Sequence, residues 1–182
     1  MALSCIPKSV LSSASCVENP AGVSNVMFAV PLDSDHIASI VPDDEKNQYD
    51  ITPAASGTGL KGARIDFKSN TGQVTAEDNG TGKGWTGSAT GRVEMSEDQM
   101  AHTSRVLHNS DQYLYFIATG KTVDGKKEWL VIGNENGEAN FANAADTGTA
   151  RTDDHGQTFT VTCAYQLYPF TKWYGTIEQE DE

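Results

Sequence analysis

The sequence contains few cysteines and no long apolar run. Its three cysteines, Cys5, Cys16 and Cys163, include no Cys-x-x-Cys pair. Such an odd, scattered set favours neither a disulfide framework nor a zinc site, so we expect a reducing compartment. No stretch approaches the roughly 20 apolar residues that cross a bilayer, and the N-terminus lacks the basic and apolar regions of a secretory signal. We therefore expect a soluble protein that is not exported and has no membrane partner.

Basic residues are also scarce. The chain has 25 acidic and 13 basic residues, giving a formal net charge of -12. Specific nucleic-acid binding needs basic patches that contact phosphates, so this balance disfavours it. An acidic surface repels DNA, although solubility is the simpler explanation of the same charge.

Catalytic and metal-binding motifs are missing as well. The sequence contains neither Gly-x-Ser-x-Gly nor His-Glu-x-x-His, and its Gly-rich segment 78–84 continues into Trp85 instead of a Walker Ser or Thr. The acidic clusters at 43–45 and 153–155 are typical of turns, with metal ligation as the less favoured alternative. We expect no enzymatic activity, no cofactor and no metal.

The segments that are present have mainly β character. Aromatic and β-branched residues fill 112–118, and an Asp124-Gly125 turn leads to a return strand at 128–132. Alternation of apolar residues with threonine predicts a strand at 157–165. The other predicted strands are 23–30, 36–41, 48–52, 63–68, 73–77, 85–95 and 172–177. The pair 63–68 and 73–77 is predicted to form a hairpin.

The remaining segments complete the predicted organisation. A capping box at Ser96 and Gln99 predicts one short helix over 96–107. Polar segments at 53–62, 77–84 and 138–152 are predicted loops. The three tryptophans fit core or interface packing, or alternatively a carbohydrate-binding platform. The fold class is therefore mainly β, a β-sandwich or barrel-like meander with one flanking helix. Residues 1–20 are an arm, 21–177 a single domain and 178–182 an acidic, frayed tail.

The order of these elements resembles a known family. A strand at 22–30 precedes Asp35-His36-Ile37, a β meander, one helix and a late hairpin rich in glycine and threonine. The segment 129–137 and the turns of 147–158 carry the resemblance most clearly. This arrangement is similar to the tail tube proteins of tailed bacteriophages, in particular a divergent group from phages and prophages of Bacteroidetes.

The resemblance implies a structural virion protein, made in the host cytoplasm and located in the phage tail. It implies self-assembly into stacked, hexameric rings that join other tail or neck proteins and surround a channel. DNA would pass through this channel without specific binding, because carboxylates on the lumen repel phosphates. Candidate lumen-facing carboxylates, each also consistent with a solvated strand end, are Asp66, Glu77, Asp78, Glu94 and Asp111.

Two other functions fit the same composition. A phage head-tail connector, neck or capsid-decoration protein would form a single ring or cap. A bacterial surface or secreted β-sandwich binding module would require export, which the N-terminal sequence disfavours.

Overall fold

The computed structural model describes residues 23–55, 59–68, 70–93, 101–102, 105, 107, 112–146 and 156–180. The predicted arm 1–20, Glu94 and Asp111 lie outside these residues. The described chain is mainly β, as the sequence predicts. Its strands are β1 Val26–Pro31, β2 Ile37–Asp43, β3 Gln48–Pro53, β4 Leu60–Asp66, β5 Gln73–Asp78, β6 Trp85–Val93, β7 Tyr113–Val123, β8 Lys126–Ile132, β9 Ala139–Asp146, β10 Gly156–Gln166, β11 Lys172–Gly175 and β12 Ile177–Gln179.

Eight strands form a curled sheet in the order β12-β4-β1-β7-β8-β11-β3-β2. Its neighbours are antiparallel except for the β12/β4 and β11/β3 pairs, which are parallel. Side chains on its inner face form one core, to which the two edge strands contribute Ile37 and Ile177. Because residues from opposite edges share this inner core, the sheet curls until β2 and β12 approach each other.

Aromatic rings fill much of the inner core. Phe28 packs edge-on against Trp129 with ring centroids 5.6 Å apart, and Phe116 packs in the same way against Trp173 at 5.4 Å. Trp129 and Trp173 are both buried. The packing role predicted for these two tryptophans is confirmed, and burial prevents them from forming an exposed carbohydrate platform.

The other four strands form a small sheet in the order β5-β6-β10-β9, which packs on the outer side of the curled sheet. An inter-sheet core lies between them, with Tyr115 of β7 facing Phe141 of β9 at 6.3 Å between ring centroids. The buried Gln166 also joins the sheets, since its Nε2 donates to the Val131 carbonyl oxygen at 2.8 Å. Its amide fills the space above Gly87, which has no side chain to compete for it.

Two local predictions are confirmed in detail. The β7–β8 turn places Asp124 and Gly125 at φ values of 51° and 77°, the left-handed conformation that such turns require. In β10, Phe159, Val161 and Cys163 are buried while Thr158 is exposed. A period of two therefore does assign the faces of this strand.

The predicted hairpin of 63–68 and 73–77 is wrong. Strand β4 pairs with β1 in the curled sheet, and β5 pairs with β6 in the small sheet. The chain changes sheets at a turn where Thr71 Oγ1 donates to the Lys68 carbonyl at 2.7 Å and the Lys68 N–H donates to the Arg92 carbonyl at 2.7 Å. Ile65 and Phe67 enter the inter-sheet core just before this turn, which fixes the crossing.

Several predicted loops and ends are also corrected. Within the predicted loop 138–152, residues 139–146 form strand β9, whose Ala139 and Phe141 are buried, and 147–152 lie outside the described residues. The predicted loop 53–62 already contains the start of β4 at Leu60. The predicted last strand divides into β11 and β12. Residues 178–180, predicted to fray, are held because β12 pairs with β4 and Glu180 N–H donates to the Gly62 carbonyl.

The predicted short helix is not supported. No helix with defined bounds occurs in the described residues, and most of 96–107 lies outside them. The strand order also departs from a simple meander, because only β2/β3, β5/β6, β7/β8 and β9/β10 are neighbours in both sequence and sheet among the described strands.

Candidate functional site

The outer face of the small sheet is a broad surface built from small polar residues. Its positions alternate along each strand with residues buried in the inter-sheet core, and register aligns them across the sheet. One row runs from Gln73 through Thr90 and Thr160 to Ala142. The remaining positions are Thr75, Glu77, Thr86, Ser88, Arg92, Asn140, Ala144, Thr158 and Thr162.

This outer face is almost without charge. Among the positions named above, Glu77 and Arg92 are the charged residues, and Asp146, paired in register with Gly156, continues the same row parity at the end of β9. The net charge of -12 is therefore carried mainly by other parts of the molecule. Hydroxyl and amide groups on such a face exchange hydrogen bonds with water and present no cationic stripe to a phosphate backbone.

Both edges of the small sheet lack a strand partner within the described residues. Strand β5 pairs with β6 alone, and β9 pairs with β10 alone. The sequence of β9, Ala-Asn-Phe-Ala-Asn-Ala-Ala-Asp, has no lysine, arginine or proline and one acidic residue at its end. Natural proteins commonly protect edge strands with charges or proline, so β9 is an edge suited to pairing with another chain.

The three candidate lumen carboxylates that the structure describes are not all brought into one cluster. Glu77 lies on the outer face and pairs in register with Thr86, whereas Asp78 follows it at the end of β5 and accepts from the Gly80 N–H at 2.8 Å. Asp66 ends β4 in the other sheet and accepts from Arg64 Nε at 2.9 Å. The Lys68 N–H, two residues after Asp66, donates to the carbonyl of Arg92. Asp78 pairs in register with Trp85, which lies seven residues before Arg92 in β6. At about 3.3 Å per residue these seven residues span about 23 Å, so Asp78 lies at one end of β6 and the turn that follows Asp66 lies at the other.

A second charged feature joins the edges of the curled sheet. In this His36 cluster, His36 Nδ1 lies 2.6 Å from Asp33 Oδ1 and Nε2 lies 3.2 Å from Glu180 Oε1. Both partners are carboxylates, which only accept hydrogen bonds. The two bonds therefore form together when both ring nitrogens carry a proton, that is, when His36 is an imidazolium. Partial burial lowers the pKa of His36, but the bonds and charges of the two carboxylates outweigh it and the pKa is raised above 6.5. The cluster thus links the start of β2 to the end of β12.

Exposed apolar side chains are concentrated where β10 leaves the small sheet. Tyr165, Leu167 and Phe170 are 66%, 49% and 46% exposed. Phe170 has a φ of 53°, a strained conformation for a bulky residue. Strain combined with an exposed aromatic ring is a feature of contact surfaces.

The described residues hold no group of three or more His, Cys, Asp or Glu side chains placed to bind a metal ion. Within the same part of the chain, no helix has the length and hydrophobicity required to span a membrane.

Comparison of the chain with protein-family models, with curated proteins and with solved structures finds no match.

Proposed function

We propose that this chain is a non-enzymatic structural protein of a bacteriophage virion, a tail tube subunit that assembles into stacked, hexameric rings around a DNA channel. In this proposal the two packed sheets act as a β-sandwich with a barrel-like curled layer. Its partners are further copies of itself and other tail or neck proteins, and DNA passes without specific binding.

The observation that carries this proposal is the pair of open edges on the small sheet. Contact between β5 of one subunit and β9 of the next uses two different edges, so the interface is head-to-tail. Such interfaces generate rings when the rotation between subunits closes. Main-chain hydrogen bonds along the edges supply the affinity, as in other cases of strand addition.

The chemistry of the outer face supports a conducting role. If neighbouring small sheets join into one ring, their outer faces form a continuous wall of threonine, serine, asparagine and glutamine. Arg92 alone among the described face positions attracts phosphate, and Glu77 opposes it. Glu77 is therefore the described candidate carboxylate that we assign to the lumen. DNA meets little attraction on such a wall, as passage requires.

Stacking of rings needs a second surface. The exposed Tyr165, Leu167 and Phe170 follow one another closely at the end of β10 and the connection to β11. We assign this apolar segment to the contact with the next ring, because exposed aromatic groups supply large contact area at low entropic cost.

The proposal is tested by negative-stain electron microscopy and sedimentation across a concentration series. Hollow tubes or stacked rings are expected. A monomer at every concentration contradicts the proposal, and isolated single rings favour a connector, neck or decoration protein instead.

Matched variants test the edge. Ala144→Lys adds a charge to the exposed side of the edge strand β9, whereas Thr158→Lys adds the same charge to its register partner on the inner strand β10. Ala144→Lys should raise the concentration needed for assembly by about tenfold or more, equivalent to about 1.4 kcal/mol per contact. Thr158→Lys should change it much less. Equal effects of the two variants would show that the edge is not the contact.

A further inference from the structure

A cavity of about 360 Å³ opens at one end of the curled sheet. Its lining comes from the N-terminal end of β1, the β7–β8 hairpin, β4 and β12. The lining residues are Ser24, Val26, Phe28, Arg64, Ala118, Gly120, Lys121, Thr122, Lys127, Glu128, Trp129, Ile177 and Gln179. This end cavity lies apart from the small sheet and from the edges to which we assign assembly.

The floor of the end cavity is apolar and held in place. Phe28 and Trp129 pack edge-on at 5.6 Å, and both belong to the inner core together with Ile177. The indole N–H of Trp129 donates to the Gly175 carbonyl at 3.0 Å, which fixes the ring orientation. A rigid apolar floor of this kind favours a hydrocarbon group, because little ordering of the protein is required on binding.

The rim of the end cavity is cationic in a protein of strongly negative charge. Lys121 and Lys127 line it, and Arg64 forms a pair with Asp66 that is neutral overall. Among the described lining residues the one carboxylate is that of Glu128, which accepts from Lys172 Nζ at 3.3 Å and from Tyr174 at 3.1 Å. Lys127 therefore gives the rim a positive charge, which attracts an anionic head group.

We propose that the end cavity is a binding site for a small amphipathic anion, a medium-chain carboxylate whose tail lies on Phe28, Trp129 and Ile177 and whose head group meets Lys127. A volume of about 360 Å³ falls in the range of small-molecule sites and limits the tail to a medium chain. The proposal does not depend on assembly into a tube.

The test is calorimetric titration of the full-length protein with decanoate, with decanol and decyltrimethylammonium as uncharged and cationic probes. Saturable binding of decanoate is expected at concentrations up to about 1 mM, with the uncharged probe about tenfold weaker. The cationic probe should not bind. Absence of saturable decanoate binding, or equal binding of the cation, would overturn the proposal.

Neighbouring lysines provide a matched pair of variants. Lys127 lines the end cavity, whereas Lys126 precedes it on the opposite face of β8, and both are exposed. Lys127→Gln should weaken decanoate about tenfold and leave decanol unchanged, while Lys126→Gln should change neither. An equal loss of decanoate affinity in the two variants would show that the protein's overall charge causes the effect, and this would refute the site. Unchanged far-ultraviolet circular dichroism during the titration excludes detergent-like unfolding as the source of the heat.

Discussion

Replacing His36 by glutamine should destabilise the protein at mildly acidic pH and have less effect at alkaline pH. The imidazole is 17% exposed, and its two carboxylate partners are each 48% exposed. A charge-assisted hydrogen bond to a half-exposed carboxylate contributes about 0.5–1 kcal/mol after solvent screening. The two bonds together should contribute about 1–2 kcal/mol to the free energy of unfolding.

The direction of the pH dependence follows from the raised pKa of His36. A group whose pKa is higher in the folded state binds its proton more tightly there, so its contribution is complete below the unfolded value of 6.5 and is lost as pH rises through the folded value. The pKa of Asp33 is lowered, chiefly by its hydrogen bond to His36, so this carboxylate stays ionised throughout the mildly acidic range.

Urea unfolding followed by tryptophan fluorescence at about pH 5.5 and about pH 8.5 measures this difference. The gap between wild type and His36→Gln should be largest at the lower pH. His102→Gln, a change at an exposed histidine, is the control and should give no pH-dependent gap. A His36→Gln gap of equal size at both pH values would refute the assignment to the imidazolium.

Three further predictions concern packing and buried charge. Phe116→Ala should lower the free energy of unfolding by about 3–5 kcal/mol, because removing this fully buried ring leaves a cavity in the core. A loss below about 1 kcal/mol would contradict that expectation. Gly62→Ala should lower the free energy of unfolding by about 1–3 kcal/mol in urea, because the new Cβ would lie 2.6 Å from the Ala29 carbonyl oxygen. A neutral result would show that β1 and β4 can separate to accommodate it. Lys172→Met should cost about 1–2 kcal/mol near neutral pH by leaving Glu128 buried without its cation. That loss should shrink as Glu128 is protonated in acid, and a cost that does not vary with pH would contradict it.

The sequence predicts strands well where the signal is local. In β10 the alternation of Phe159 and Val161 with threonines identifies both the strand and its faces, and Asp124-Gly125 identifies the turn before β8. These features depend on backbone sterics and burial within a few residues. No partner strand has to be known in advance.

Strand partners could not be obtained in the same way. The hairpin signal at 69–72 is genuine turn chemistry, yet the strands on either side belong to different sheets. The sequence predicts a loop where β9 lies, because alanine and asparagine have low β propensity. The strand is stabilised by pairing with β10 and by burial of Phe141. Both outcomes depend on contacts between distant parts of the chain.

The candidate site shows the same division. Glu77 is a candidate from the sequence, but the neutral outer face around it follows from register across four strands. The His36 cluster joins residues 144 positions apart, and no local pattern around His36 or Glu180 indicates the contact.

The His36 cluster and the edges of the small sheet are physically related. Because the His36 side chain bonds to Glu180, β2 is held beside β12 and the two edges of the curled sheet face each other, whereas β5 and β9 are the edges of the small sheet. Release of the cluster would expose two more edges, and each exposed edge is a template for pairing with another chain. In the proposed assembly through β5 and β9, a closed curled sheet is therefore needed for specific pairing. His36→Gln at low pH should accordingly yield irregular aggregates alongside the proposed tubes in electron micrographs. Tubes as regular as those of the wild type would show that the His36 cluster does not control pairing at the edges.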